Sequence, residues 1–182
     1  MNEIDKFINL CETELKLEEK LLIEKREDPN LSFYKSLPIC IIDAVFSIGV
    51  KYKSVEMTTD AFIKYFNLSI SRKDTKIEYG INDFISNIDS IKNGNSMLDF
   101  NKVAKNVFNN MQRTSSRGGI LKAEACYFVA KVFEKHKINT LADFNNYKNK
   151  ETLDDDICKV KGQGSGIMLK YLYMLAGSSN VI

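Results

Sequence analysis

The 182-residue chain carries 26 basic and 24 acidic residues for a net charge of +2, with 44% hydrophobic and 27% charged content. That is the balance of one ordinary folded domain, or a domain with a lobe; it excludes global disorder, and so small a net charge means that any hold on a polyanion must come from a local basic patch. Cys11, Cys40, Cys126 and Cys158 form no C-x-x-C pair and have no neighbouring histidine, which excludes the usual zinc and redox patterns.

The N-terminus shows no basic segment followed by an apolar leader, and no run reaches the roughly 18 apolar residues of a membrane span. A cytoplasmic protein without a membrane partner is expected. Ile4, Phe7, Ile8, Cys11, Leu15, Leu21 and Leu22 recur at helical spacing and predict an amphipathic helix over 3–26, ending before Asp28-Pro29-Asn30. Its glutamates, including Glu12, Glu14, Glu18 and Glu19, read as a solvated face. Residues 1–30 are thus set apart from a helical domain over 31–182.

Residues 37–50 are apolar almost all round, with Pro38 in the first turn, where its missing N–H costs nothing. This predicts a central buried helix. Asp43 inside it is the only candidate for a buried catalytic acid; the alternative is an end-of-helix polar contact or a partly exposed edge. Cys40 and Cys126 lie in apolar segments and are expected as buried thiols. Thr58-Thr59-Asp60 reads as the N-cap of a short helix carrying Phe62, Ile63, Tyr65 and Phe66. Ile81, Phe84, Ile85, Ile88 and Ile91 predict the next helix, after a polar connection containing Arg72, Lys73 and Lys76. Asn93-Gly94-Asn95-Ser96 is a stop signal, and Phe100, Val103, Ala104, Val107, Phe108 and Met111 make a further helical stripe, read as core.

Residues 112–119, Gln-Arg-Thr-Ser-Ser-Arg-Gly-Gly, lead into a helix over 120–133. Arginine forks, hydroxyls and helix N–H groups are all phosphate ligands, so Arg113, Ser115, Ser116, Arg117 and Lys122 are candidate contacts to a nucleic-acid backbone. The other reading is an ordinary mobile connection. His136, the only histidine, falls at the end of that helix and reads as a dipole-complementing residue rather than a base. Thr140 with Asp143, and Thr152 with Asp155, fit capping boxes; the second would start a helix ending at Lys159-Val160. Asp154, Asp155 and Asp156 are accounted for by that cap. With no strand alternation or internal repeat, the chain reads as all-α with eight or nine helices.

The most informative stretch is Lys161-Gly162-Gln163-Gly164-Ser165-Gly166, between two helical segments. Gly162 and Gly164 can take positive φ and leave the backbone bare, while Gly166 opens the following helix, whose first N–H groups and dipole favour an anion. Lys159, Lys161 and Lys170 place positive charge beside it. A plain structural turn would use the same glycines.

The order of these features over 36–182 resembles the helix-hairpin-helix DNA glycosylases, the endonuclease III-like superfamily. Val160-Lys161-Gly162-Gln163-Gly164 is similar to that family's L-P-G-V-G hairpin. The resemblance implies a multi-helix bundle of the DNA-glycosylase type whose hairpin, through Lys161, Gly162, Gln163, Gly164, Ser165, Gly166 and Lys170, grips the phosphates of DNA. In some members of the family a monovalent cation sits on the hairpin carbonyls, which by resemblance would be those of Val160 and Gly162 here; otherwise no cofactor and no side-chain metal ligands are expected. Bifunctional members carry a lysine where this chain has Gly166, so Schiff-base lyase chemistry is not expected. Active members carry an aspartate after the second hairpin helix, where this chain has only residues 177–182, so that aspartate and the helix after it are missing from the match. The expected function is therefore DNA binding, with base excision through Asp43 as one alternative. Another alternative is a module that self-associates or binds a partner chain over an apolar face left by the missing helix.

Overall fold

A computed structural model describes residues 34–68, 78–91 and 97–177, all of which fall in one unit, Phe33–Ile182. The predicted helix over 3–26, the basic connection with Arg72, Lys73 and Lys76, and the stop at 93–96 lie outside the described residues. The described residues are all-α, with helices α1 (Leu37–Ser47), α2 (Tyr52–Tyr65), α3 (Ile81–Asp89), α4 (Phe100–Lys102, running into a π-turn over Val103–Val107), α5 (Lys122–Lys135), α6 (Leu141–Asn146), α7 (Lys150–Cys158) and α8 (Ile167–Leu175).

Helix α1 forms the axis, as its composition requires. Every residue from Leu37 to Phe46 is buried, and α2, α5 and α8 pack around it. Pro38 stands in its first turn. The core beside α1 is aromatic: Phe62 stacks on Phe108 at 5.3 Å between centroids, and Phe108 on Phe46 at 5.6 Å. Phe84 and Tyr79 close the same cluster, tying α3 to α2. Both predicted buried thiols, Cys40 and Cys126, are buried.

Helix α2 starts at Tyr52, a turn and a half before the expected cap. Val55 supplies the reason, because its burial anchors an earlier turn to the core. Thr58 and Thr59 are then interior, each 3% exposed, and the Thr58 hydroxyl donates to the Ser54 carbonyl at 2.8 Å instead of capping. Tyr65 is exposed, so it leaves the expected stripe. The stripe of α4 is buried from Val103 to Phe108, but the chain widens into the π-turn and passes through Asn109 at φ 46°, which turns Met111 out to solvent.

The two expected capping boxes divide. Thr140 and Asp143 form theirs reciprocally: the Asp143 N–H donates to Thr140 Oγ1 at 3.1 Å and the Thr140 N–H to Asp143 Oδ2 at 2.9 Å. Thr152 forms none, because α7 begins at Lys150 with Asn149 at its N-cap. The Lys150 ammonium sits 3.8 Å from the centroid of the Phe144 ring and donates to the Phe144 carbonyl, joining the start of α7 to the end of α6.

Candidate nucleic-acid interface

Helices α7 and α8 are joined by a glycine hairpin, and each hairpin residue has a distinct place. The Gln163 N–H donates to the Val160 carbonyl at 2.9 Å and the Gly166 N–H to the Gln163 carbonyl at 3.1 Å, two tight turns in succession. The left-handed positions are Gly162 (φ 90°) and Gly166 (φ 70°); Gly164, expected to take positive φ, does not. Gly166 is the N-cap of α8, as expected. Gln163 turns inward and is buried, whereas Lys161, Gly164, Ser165 and Lys170 are exposed. The Ser165 hydroxyl accepts weakly from the Ile167 N–H, at 3.4 Å.

The second basic stretch is ordered by its own backbone. Arg113 and Leu121 form an antiparallel bridge, the Thr114 N–H donates to the Ile120 carbonyl at 2.9 Å, and the Lys122 N–H donates to the Gln112 carbonyl at 2.8 Å. Gly119 lies so close to Ser115 that an added Cβ would stand 2.4 Å from its backbone nitrogen. Arg113 Nη1 donates to the Gly119 carbonyl at 2.9 Å, and the Ser115 hydroxyl to the Arg117 carbonyl at 3.0 Å. Arg113, Ser115, Ser116 and Arg117 are nonetheless exposed at the tip.

The two stretches, far apart in sequence, abut. A Cβ on Gly162 would stand 2.4 Å from both Cβ and Oγ1 of Thr114. Thr114 Oγ1 is buried at this junction with no hydrogen-bond partner, and it is a free oxygen ligand beside the hairpin. The Val160 carbonyl already accepts from Gln163, leaving its second lone pair. Thr114 Oγ1 and the Val160 carbonyl are oxygens of the type a hard monovalent cation takes.

Three candidates do not join this surface. Lys122 is 4% exposed, and its ammonium donates to the carbonyls of Phe46 at 3.1 Å and Ile48 at 2.7 Å. It closes the C-terminal end of α1 rather than facing solvent. Lys159 is engaged by Asp156 at 2.8 Å. Asp43 is fully buried, not at an edge; it accepts from Tyr34 Oη at 2.8 Å and Ser47 Oγ at 2.9 Å. Both partners are half-buried; Tyr34 precedes α1 and Ser47 ends it, so the carboxylate makes a polar contact at the end of its own helix.

Residues 12–182 match the profile of a family described as "Domain of unknown function (DUF8548)". The chain belongs to that family. No curated protein and no solved structure matches it. Among the described residues of this DUF8548 domain, no helix is long and apolar enough to cross a membrane.

Two polar clusters of the domain escaped the reading of its sequence. The acidic run at 154–156 does not cap α7. Asp154 accepts from Tyr173 Oη at 2.7 Å, and burial raises its carboxyl above the ordinary range. Asp156 accepts from Lys135 at 2.7 Å and Lys159 at 2.8 Å, and meets His136 Nε2 at 3.0 Å. The bonds from Lys135, Lys159 and His136, in that order, hold its carboxyl well below the usual range. His136 does end α5, as expected, but its ring is shared between Asp156 and Tyr147. The Asp156 to Lys159 spacing was a visible i,i+3 pair; the link to Lys135 and His136 depends on α5 packing against α7.

Proposed function

We propose that this domain binds DNA as a helix-hairpin-helix protein of glycosylase ancestry, holding phosphates of the backbone at the α7–α8 hairpin. The observation that carries the reading is the contact of Gly162 with Thr114, which sets the exposed Lys161, Gly164, Ser165 and Lys170 beside the exposed Arg113, Ser115, Ser116 and Arg117. The first-turn N–H groups of α8 lack intrahelical acceptors, and the helix dipole adds positive potential there. A monovalent cation on the Val160 and Gly162 carbonyls would add a further charge facing the phosphate, and the unpartnered Thr114 Oγ1 lies against Gly162. Asp43, sealed in the core, offers no reacting carboxylate, so the reading is of a grip on DNA rather than of base excision.

Four exposed cations, Arg113, Arg117, Lys161 and Lys170, remain after Lys122 and Lys159 are assigned to internal partners. At roughly 0.9 per neutralised phosphate, the slope of log affinity against log salt is expected to be about −3 to −4. Fluorescence anisotropy with a labelled duplex across a salt series measures it. No affinity at low salt, or a slope near zero, would overturn the reading.

A second reading has its own observation. Ile167, Tyr171 and Met174 recur at i, i+4 and i+7 on α8 and are 52%, 42% and 43% exposed, a continuous apolar stripe. Self-association through this stripe would bury it. Light scattering showing a monomer at high protein concentration would dismiss that reading and leave DNA binding untouched.

A further inference from the structure

His136 lies between a carboxylate and a phenol. Its Nε2 stands 3.0 Å from Asp156 Oδ2 and its Nδ1 2.7 Å from Tyr147 Oη, with the two rings perpendicular at 88°. Asp156 is ionised, because Lys135 and Lys159 both donate to it, so it can only accept, and the neutral imidazole must carry its proton on Nε2. That leaves the Nδ1 lone pair facing Tyr147, whose O–H must be the donor. The order carboxylate, imidazole, hydroxyl is the arrangement in which a base, oriented by a third group, raises the nucleophilicity of an oxygen. A merely structural ion pair between Lys135, Lys159 and Asp156 would not require the second bond to a phenol.

We propose that Tyr147 is a hydroxyl nucleophile for an electrophilic phosphorus centre, with His136 as its general base and Asp156 as the residue that positions the ring. In the step, Tyr147 Oη forms a bond to phosphorus while its proton passes to His136 Nδ1. The bond from phosphorus to the leaving group breaks, and the leaving group departs with the electron pair. Asp156 stabilises the resulting imidazolium, and the product is a phosphotyrosyl ester. A phosphorus ester is favoured over an acyl ester because the two ammonium groups of Lys135 and Lys159 share the single Asp156 carboxylate, so within this cluster positive charge is in excess even with each lysine paired, which suits an anionic or strongly polarised substrate. This proposal does not depend on the hairpin binding DNA.

The probe is a biotin-tagged phosphonofluoridate, which transfers its phosphonyl group to an activated oxygen with loss of fluoride. Modified tyrosines are located and their rates compared by peptide mass spectrometry on the full chain. Tyr147 is expected to react about tenfold faster or more than the exposed Tyr65 and Tyr171 of the same molecule, a modest yield for general-base assistance. His136→Gln, which can still accept the phenol's hydrogen bond, is expected to lower the rate at Tyr147 to that of Tyr171. Asp156→Asn should lower the rate at Tyr147, because the ring loses the acceptor that holds its proton on Nε2, and Asp156→Glu, which keeps a carboxylate, should restore most of it. Tyr147→Phe should abolish label at that peptide alone. Labelling of Tyr147 no faster than Tyr171 in the unaltered protein would overturn the proposal, as would full reactivity in His136→Gln. The comparison within the unaltered chain needs no variant, so a variant that folds poorly does not shield the idea.

Discussion

Lys122 stands in the first turn of α5, where a positive charge opposes the helix dipole. Its ammonium is nevertheless well placed, because it reaches the carbonyls of Phe46 and Ile48 at the C-terminal end of α1, where the dipole attracts a cation. Burial lowers its pKa, the cost of drawing the charge out of water. Lys122→Met keeps the apolar stem and leaves those carbonyls without their donor, so it is expected to cost about 1–3 kcal/mol in urea unfolding. DNA affinity should not change, which separates this lysine from Lys161. The hairpin glycines give a matching pair. Gly162→Ala meets both positive φ and Thr114, and is expected to destabilise the fold by about 2–4 kcal/mol. Gly164→Ala meets only ordinary contact with the Cys158 carbonyl at 3.6 Å, so its stability should move by less than about 1 kcal/mol. A loss of DNA affinity in Gly164→Ala without a change in melting would then report contact with phosphate. That three glycines lay at a bare turn was legible in the sequence. Which of them needed to be glycine was not, because Thr114 belongs to another part of the chain.

Elements were legible where the signal was local and misplaced where burial decided. The Thr140 and Asp143 box needs only neighbouring residues, and it formed. Helices α2 and α7 begin earlier than Thr58 and Thr152 because Val55 fixes one early turn and Lys150, against Phe144, fixes the other. Hydroxyls at those positions were plausible caps only while the packing was unknown. The box also sets a dependence on pH. Asp143 is held below its ordinary pKa by the N–H of Asn139 first, then by the hydroxyl and N–H of Thr140. A carboxylate depressed in the folded state contributes stability that is present above its unfolded pKa of about 3.9 and lost as pH falls through the folded value. Thr140→Ala is expected to cost about 1 kcal/mol at neutral pH. Asp143→Asn should lose stability at neutral pH and converge with the parent in acid. Melting curves of Asp143→Asn and the parent at neutral and acid pH would show whether the gap closes; a gap for this variant that persists in acid would mean the carboxylate is not responsible, whereas the gap of Thr140→Ala, which removes an uncharged cap, should remain in part.

For the whole molecule, the all-α class was readable from composition and spacing, with α1 as its axis, because an apolar run entered through Pro38 has one stable place. The meeting of the 112–119 stretch with the hairpin was not readable, since nothing in either segment names the other. That meeting also bears on the small net charge of +2, which gives the molecule little general attraction for DNA. If binding depends on the patch, removing two charges from it must differ from removing two elsewhere. Lys53 and Lys64 lie on α2, which packs on α1 and the π-turn. Replacing both by alanine takes the net charge from +2 to zero, as does replacing Arg117 and Lys161. The two variants are then equal in total charge. The α2 pair is expected to keep the parent's affinity and salt slope, whereas the hairpin pair should flatten the slope by about 2, at roughly 0.9 per lost phosphate contact. Parallel anisotropy titrations on one duplex distinguish them. Equal losses in both variants would mean that charge acts at a distance and that the hairpin is only a turn between packed helices.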